Sequence, residues 1–144
     1  MESLLLEHRD CVRLLRSPER VRCGFVAIDG REPVPLACVL LDSGDVLIPA
    51  GPGSPLVQMA ALHPVVVEFT DYDPTGRVRW TVRGIGLARP MTGSDVPRPA
   101  LHSPVLAAIP DTFGNGVRVV MARYHGRRIA DDVAIPAPRV GDPG

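Results

Sequence analysis

The chain has 144 residues, 45% of them hydrophobic, and its 16 basic side chains balance 16 acidic ones. This length and this hydrophobic content predict one folded domain and exclude a disordered chain. The zero net charge argues against nucleic acid as a partner, and three cysteines without C-x-x-C spacing argue against a disulfide framework. No early apolar run is long enough for a signal or membrane-spanning segment, so we expect a cytoplasmic protein without a membrane partner.

The first third of the chain predicts one helix followed by a meander of three strands. Apolar side chains at helical spacing favour a helix over residues 3–16 that covers one end of a sheet. Residues 21–28 and 34–41 have strand patterns on either side of Asp29-Gly30, a strong hairpin signal. A tight turn then leads to a third strand at 45–48.

The segment DVLIPAGPGSPL, residues 45–56, is the most unusual stretch of the chain. Its strand breaks and turns on Gly51 and Gly53, where a missing Cβ lets the backbone approach a ligand or adopt positive φ. Ser54 and Pro55 then begin a short helix, with Ser54 as the N-cap residue. Two interpretations follow: a strand-to-helix turn with no ligand, or an anion site at the helix start, where backbone N–H groups are free.

The rest of the chain predicts a short helix at 54–62 and three more strands. The strands are expected at 65–69, 78–88 and 117–124. Between the last two, residues 91–115 carry four prolines and predict only a helical turn at 104–109. Residues 131–144 predict a flexible tail, which leaves one domain over 1–130. Six strands joined by tight turns, without βαβ alternation, predict a mainly β protein, a small antiparallel six-stranded barrel with short helices.

Few residues carry recognisable catalytic or metal-binding chemistry. The four histidines have no Cys, Asp or Glu at ligand spacing, so no metal site is expected. The sequence has no G-x-S-x-G motif, and Cys23 and Cys38 lie in predicted strands, which favours core packing over nucleophilic catalysis. Glu68, Asp71 and Asp73 surround a turn and are typical of a solvated acidic patch rather than an acid–base pair. No catalytic residue is assigned.

Two further features have alternative interpretations. Trp80, the single tryptophan, is either a core residue or a flat wall beside a planar cofactor. Arg127-Arg128, after a turn expected at Gly126, is either a surface pair or an anion clamp. Gly84 and Gly86 predict a β-bulge or a close approach of two backbones.

Motifs along most of the chain occur in a familiar order. The segment at 45–56 is followed by VVVEF, DYDPTG, RWTV, GLA and VRVVMARYHGRRI. This order resembles the pyridoxamine 5′-phosphate oxidase-like flavoprotein family, most of all its small actinobacterial members, from about Leu4 to Ile129. The resemblance implies a split β-barrel that binds FMN, or alternatively a deazaflavin, at the two-fold interface of a homodimer. It also implies a flavin-dependent oxidoreductase, with a substrate that the motifs do not identify.

The resemblance also assigns a cofactor site. In the family the motif R-T-G-P-G-S-K-L holds the flavin phosphate through its Arg, Thr, Ser and Lys. In this chain Pro49, Ala50 and Pro55 stand in place of the Arg, Thr and Lys. The residues assigned to the cofactor are Ile48, Ala50, Gly51, Gly53, Ser54 and Trp80.

Two functions from different classes remain open. In the first, the chain is a flavin-dependent oxidoreductase, and Arg31, Arg83 or Arg128 replaces the missing cations. In the second, a degenerate barrel has lost the flavin and acts as a non-catalytic ligand-binding or regulatory module. Its apolar groove is then lined by Leu36, Cys38, Ile48 and Trp80. A homodimer is expected in both, because a barrel of this size leaves apolar surface and strand edges that a second copy covers.

Overall fold

The computed structural model of the chain describes residues 3–16, 20–51, 53–92, 95 and 116–129. This part of the chain holds seven strands and two helices. They are β1 (Ser3–Leu6), α1 (His8–Arg16), β2 (Val21–Ile28), β3 (Val34–Leu40), β4 (Val46–Ile48), α2 (Leu56–Ala60), β5 (Pro64–Tyr72), β6 (Val78–Pro90) and β7 (Val117–Ile129). The helical turn predicted at 104–109 and the tail predicted at 131–144 lie outside the described residues.

Six of the strands form a closed barrel. They follow the order β7-β4-β3-β2-β5-β6, and β6 pairs back onto β7 to complete the ring. Every pairing is antiparallel. This architecture confirms the predicted mainly β fold, a six-stranded antiparallel barrel with short helices. β1 lies outside the ring, as a seventh strand along the end of β7, with Leu4 opposite Arg128.

The N-terminal segment differs from the prediction. Helical spacing predicts a helix from Ser3, whereas the structure has β1 at Ser3–Leu6 and begins α1 at His8. The last residues of β7 present a strand edge, and β1 satisfies its backbone groups by antiparallel pairing. Three consecutive leucines fit a strand as well as a helix, so this pairing decides the outcome. The rest of the helix forms as predicted, with Cys11 and Leu15 buried.

Gly126 lies inside β7 rather than at the predicted turn. A Cβ at this position would lie 2.6 Å from the carbonyl oxygen of Thr81. The glycine therefore lets β6 and β7 approach each other closely, and Arg127-Arg128 is a pair of strand residues on opposite faces. The predicted bulge is confirmed, because the register of β6 with β7 shifts between Ile85 and Gly86.

Several predicted elements have the right type but different ends. The helix predicted at 54–62 is five residues long, Leu56–Ala60. The strands predicted at 65–69 and 117–124 extend to nine and thirteen residues. They are longer because β6 pairs with β5 on one side and with β7 on the other over nearly their whole length, a tertiary effect that local propensity does not contain.

Side chains from alternate strand positions fill the barrel. The largest of these fully buried strand residues are Phe69, Leu40, Ile48, Val26, Val46, Val65, Val67, Val82, Val117 and Val119. Leu15 of α1 packs against them, whereas Leu47 belongs to a second, smaller cluster with Val39 and Met91. Cys38 is buried as predicted, but Cys23 is exposed, because it precedes the buried Gly24 and so faces outward on β2. All three cysteines are free thiols. Neither helix in the described residues has the length and apolarity needed to cross a membrane.

Candidate functional site

The outer face of the barrel beside β1 gathers polar side chains from three strands. Thr81 and Arg83 alternate with buried residues of β6 and so face outward. His125 and Arg127 do the same on β7, and Glu68 joins them from β5. The strand register places Glu68 opposite Arg83, Arg83 opposite His125, and Thr81 opposite Arg127. Directly opposite residues in an antiparallel pair have Cβ atoms roughly 5 Å apart, so these side chains are close neighbours.

These residues form one wall of a groove of about 530 Å³, which we call the outer groove. It is lined by Leu5, Leu6, Glu68, Val78, Thr81, Arg83, His125, Gly126, Arg127 and Ile129. Small-molecule sites typically occupy about 300–1,000 Å³ and combine apolar walls with a few polar groups. The outer groove fits this description in both size and composition.

The charged side chains of the outer groove are not paired with each other. Within the described residues, Glu68, Arg83, His125 and Arg127 make no side-chain hydrogen bond and no ion pair. Guanidinium groups bind phosphate and carboxylate oxygens through paired N–H donors. Two such groups beside an apolar wall can therefore hold the anionic end of a ligand whose other end is apolar.

A second group of charges lies near the opposite end of β7, and we call it the ion-pair cluster. Its members are Asp45, Arg89, Asp95 and Arg118. Arg118 Nη2 lies 2.7 Å from Asp45 Oδ2, and its Nη1 lies 3.1 Å from Asp95 Oδ1. Arg89 donates two hydrogen bonds of 2.8 Å to the two carboxylate oxygens of Asp95. Asp45 also accepts a hydrogen bond of 3.0 Å from the backbone N–H of Met121.

The environment of Asp95 strongly favours its charged form. The hydrogen bond from Arg89 is the largest cause that holds the pKa of this carboxyl far below its ordinary value of 3.8. Hydrogen bonds from Thr92 and Arg118 act in the same direction, against the opposing effect of burial. Since each charge in the cluster has a partner, the cluster fastens Asp95 to the barrel and leaves no charge free for a ligand.

The five assigned residues from Ile48 to Ser54 lie together at the end of β4. Ile48 is 1% exposed in the core, and Ala50 packs against the same core. A Cβ on Gly51 or Gly53 would meet open space, and Gly53 has a φ of +79°. The backbone of the turn is therefore accessible, as a ligand-binding loop requires.

The start of α2 differs in detail from the prediction. Pro55 occupies the N-cap position that is predicted for Ser54, and the cap makes no side-chain hydrogen bond. Ser54 Oγ still accepts a hydrogen bond of 3.2 Å from the N–H of Leu56. A helix of five residues has only a weak dipole, so the turn supplies little positive potential for an anion.

The structure separates Trp80 from the turn at residues 48–54. Ile48 pairs with Val117 at one end of β7, whereas Trp80 lies opposite Arg128 at the other end. Trp80 is 6% exposed, and the guanidinium carbon of Arg22 lies 5.2 Å from its ring centroid. This is the core-packing alternative for Trp80, and its assignment to a cofactor remains a prediction.

The apolar groove predicted from Leu36, Cys38, Ile48 and Trp80 is not formed by the described residues. The last three side chains are buried inside the barrel, because their strand positions face inward, and Leu36 packs against them. Of the arginines expected to replace the missing cations, Arg83 lines the outer groove. Arg31 and Arg128 are exposed and do not line it.

The predicted acidic patch does not form as a unit. Asp71 is paired with Arg79 at 2.9 Å, and Asp73 accepts hydrogen bonds from the backbone N–H groups of Thr75 and Arg77. Only Glu68 reaches the outer groove. Strand alternation could have indicated this, because the residues on either side of Glu68, Val67 and Phe69, face inward, and Glu68 therefore faces outward.

The buried thiols and the histidines show no reactive arrangement. Burial raises the pKa of the Cys38 thiol to about 12 and that of Cys11 to about 11, so neither forms a thiolate near neutral pH. Across the part of the chain that the structure describes, no three His, Cys, Asp or Glu side chains lie close enough to hold a metal ion.

The barrel is similar to solved structures of two flavin proteins. The FAD-binding protein from Mycobacterium smegmatis is 23% identical, and the match covers 89% of this chain and 99% of that one with a TM-score of 0.59. An FAD-binding protein from Mesorhizobium loti is 20% identical, with 91% and 99% coverage and a TM-score of 0.57. At these identities the likeness shows a shared fold. No protein-family model and no curated protein gives a significant match to the chain.

Proposed function

We propose that this protein binds a flavin, FMN in the first place, in the outer groove and acts as a flavin-dependent oxidoreductase. The observation that carries the proposal is the outer groove itself. It combines an apolar wall with the unpaired guanidinium groups of Arg83 and Arg127. The two similar barrels belong to FAD-binding proteins, which supports the choice of a flavin among ligands with one apolar and one anionic end.

The residues of the outer groove match the two ends of a flavin mononucleotide. Leu5, Val78 and Ile129 supply apolar surface for a ring system. Arg83 and Arg127 supply donors for a phosphate. A bound flavin supplies the hydride or electron transfer, while the protein supplies orientation and excludes water.

A homodimer explains how the turn at residues 48–54 and the outer groove can serve one cofactor. The two lie at opposite ends of β7 in a single chain. Both can contact the same flavin when the turn of one protomer approaches the groove of its partner across a two-fold axis. Exposed apolar residues on the adjoining outer face support this association.

The apolar face continues from the outer groove along β6 and β7. Ile85 follows Arg83 on the outer side of β6, and Leu87 lies opposite Val120 of β7. Their exposed fractions are 43%, 51% and 45% for Ile85, Leu87 and Val120. Neighbouring large apolar side chains on a sheet face mark an interaction surface. We propose that a second copy of the chain covers it.

Flavin binding is tested by titrating the purified protein with FMN, FAD and a deazaflavin while following flavin absorbance and fluorescence. We expect FMN to bind, and the double variant R83Q/R127Q to bind it about 10²–10⁴-fold more weakly, because each of the two lost charge-assisted hydrogen bonds contributes about 1.5–3 kcal/mol. Arg31→Gln is the matched control and should bind like the wild type. Equal affinity in all three proteins would place the phosphate elsewhere.

The oxidoreductase activity needs a separate measurement. Anaerobic addition of a nicotinamide reductant to the loaded protein should bleach the absorbance band of the bound flavin. The second candidate, a non-catalytic ligand-binding module, is favoured by the lack of a cation at Pro49 and Pro55 and of a hydroxyl at Ala50. A protein that binds no flavin at all, or one whose bound flavin is not reduced by any donor, would favour that module.

The homodimer is tested by light scattering coupled to gel filtration. The wild type should elute with the mass of two chains. Leu87→Asp should lower this mass to that of one chain, because it places a charge in the apolar contact. The exposed substitution Val34→Asp on β3 is the control. A monomeric wild type at micromolar concentration would contradict the proposal.

A further inference from the structure

A second cavity lies between α1 and the turn that joins β3 to β4, away from the outer groove. Its volume is about 270 Å³, and four basic residues line it, namely His8, Arg9, Arg13 and Arg16. Val12 and the turn residues Asp42-Ser43 complete the lining. We propose that this cavity, which we call the helix cavity, binds the phosphate or diphosphate group of a small molecule.

The arginines share one face of α1. Arg9, Arg13 and Arg16 follow one another at four- and three-residue intervals, which brings side chains onto the same side of a helix. At a rise of about 1.5 Å per residue they extend along roughly 10 Å of the helix axis. Such a row of guanidinium groups can contact more than one oxygen of a single phosphate or diphosphate.

The carboxylate of the helix cavity is already neutralised. Arg20 Nη1 lies 2.6 Å and Arg16 Nη1 lies 3.4 Å from Asp42 Oδ1. Arg9 and Arg13, in contrast, make no side-chain hydrogen bond or ion pair within the described residues. The helix cavity therefore has an excess of positive charge.

The walls of the helix cavity are held in place by Tyr124. Its backbone N–H donates to His8 Nδ1 at 3.0 Å, and its hydroxyl donates to the carbonyl oxygen of Gly44 at 2.7 Å. Gly44 in turn contacts Val12, since a Cβ on this glycine would lie 3.1 Å from Val12 Cγ2. One residue thus fixes both sides of the cavity, through its backbone N–H and its hydroxyl, and a pre-formed site loses little entropy when it binds.

The size and chemistry of the two cavities distinguish their ligands. The outer groove has about twice the volume and mostly apolar walls, whereas the helix cavity is small and mostly basic. A ring system has no apolar wall to contact in the helix cavity except Val12. A compact anion with several oxygens matches the three guanidinium groups of this cavity.

Isothermal titration calorimetry of the full chain with pyrophosphate, in buffer of physiological salt concentration, tests the inference. We expect saturable binding that the double variant R9Q/R13Q weakens about 10²–10⁴-fold, because it removes two charged donors. R77Q/R79Q is the matched control, because it removes two exposed charges outside both cavities. The milder R9K/R13K keeps the charge but loses the planar fork, and should show an intermediate loss.

Three outcomes would overturn the inference. The first is that the wild type does not bind pyrophosphate. The second is that R9Q/R13Q and R77Q/R79Q lose the same affinity. The third is that a labelled oligonucleotide binds in a way that depends on Arg9 and Arg13 and is not displaced by pyrophosphate.

The fluorescence of Trp80 gives a second signal for binding at α1. Arg22 lies over the Trp80 ring and donates hydrogen bonds to the carbonyl oxygens of Leu14 and Leu15 in α1. The experiment is independent of flavin binding, because neither variant alters the outer groove.

Discussion

Two groups of charged side chains lie along β7, and they differ in whether each charge has a partner. In the ion-pair cluster, Arg118 bonds to two carboxylates, one of them only 3% exposed. In the outer groove, Arg127 lies on the same strand but has no acidic partner within the described residues. Arginines at the two ends of one strand therefore have different roles. An arginine paired with buried carboxylates stabilises the fold, and an unpaired arginine in a groove is available to a ligand.

The ion-pair cluster should therefore tolerate substitution less well than the outer groove. Removing one member of a buried ion pair leaves the other charge without a partner and poorly solvated. The free energy lost in this way is larger than the stabilisation that the intact pair provides. Removing an unpaired groove arginine leaves nothing unsatisfied. The predictions that follow test this contrast, beginning with the largest effect.

Arg118→Met should give the largest loss of stability. It leaves the carboxylates of Asp45 and Asp95 without their shared partner, which costs about 3–5 kcal/mol in the free energy of unfolding. Urea denaturation at pH 7 measures the loss. Arg83→Met in the outer groove is the matched control and should change the same free energy by no more than about 0.5 kcal/mol. Similar effects in the two variants would remove the distinction between the two regions.

Acid should weaken the ion-pair cluster. Because the folded-state pKa of Asp95 is lower than its unfolded value, its stabilising effect is fully present above the ordinary pKa of 3.8 and is lost as the pH falls below it. A salt-bridged carboxylate of this kind contributes about 2.5 kcal/mol. Urea midpoints measured from pH 7 to pH 2 should fall more steeply for the wild type than for Asp95→Asn. Parallel profiles would show that Asp95 does not contribute to the acid sensitivity.

Gly126→Ala should have an intermediate effect at the floor of the outer groove. The new methyl group would lie 2.6 Å from the carbonyl oxygen of Thr81, so β6 and β7 must move apart, at a cost of about 2 kcal/mol. Thermal unfolding measures this cost. Gly51→Ala is the control, because its Cβ meets open space and it should be nearly neutral. If Gly126→Ala is also neutral, the two strands are less tightly apposed than the distance indicates.

Ser54→Ala should have the smallest effect. Its Oγ accepts one hydrogen bond from the N–H of Leu56, and the loss of that bond costs less than about 1 kcal/mol in stability. Since this hydroxyl is already engaged, FMN affinity should fall less than in R83Q/R127Q. A larger fall in the FMN titration would shift the phosphate from the outer groove to the turn at residues 48–54.

The barrel strands could be predicted from the sequence because their signals are local. Asp29-Gly30 marks a hairpin, and the β-branched run after His63 marks a strand whatever it pairs with. The N-terminal strand could not be predicted in the same way. Leu4, Leu5 and Leu6 suit either a helix or a strand, and the edge of β7 that they pair with lies more than a hundred residues further along.

The site was only partly predictable for a related reason. Arg83 and Arg127 could be named as candidate anion ligands, but their meeting with His125 depends on the register between β6 and β7. That register shifts between Ile85 and Gly86, so counting residues from the pair Pro90 and Val117 gives the wrong partner for Arg83. The ion-pair cluster joins Asp45 to Arg118 across 73 positions, and no local pattern links them.

The position of β7 in the ring also bears on how the protein folds. This strand pairs with β1, β4 and β6, and it contains residues 117–129, so Ser3 finds its partner only at Ile129. During synthesis the outer edges of β4 and β6 have no partner until β7 leaves the ribosome. Pairings of such high sequence separation fold slowly. Until β7 arrives, the nascent sheet has two open edges that can pair with other chains, so chaperone protection at this stage should govern the yield of folded protein.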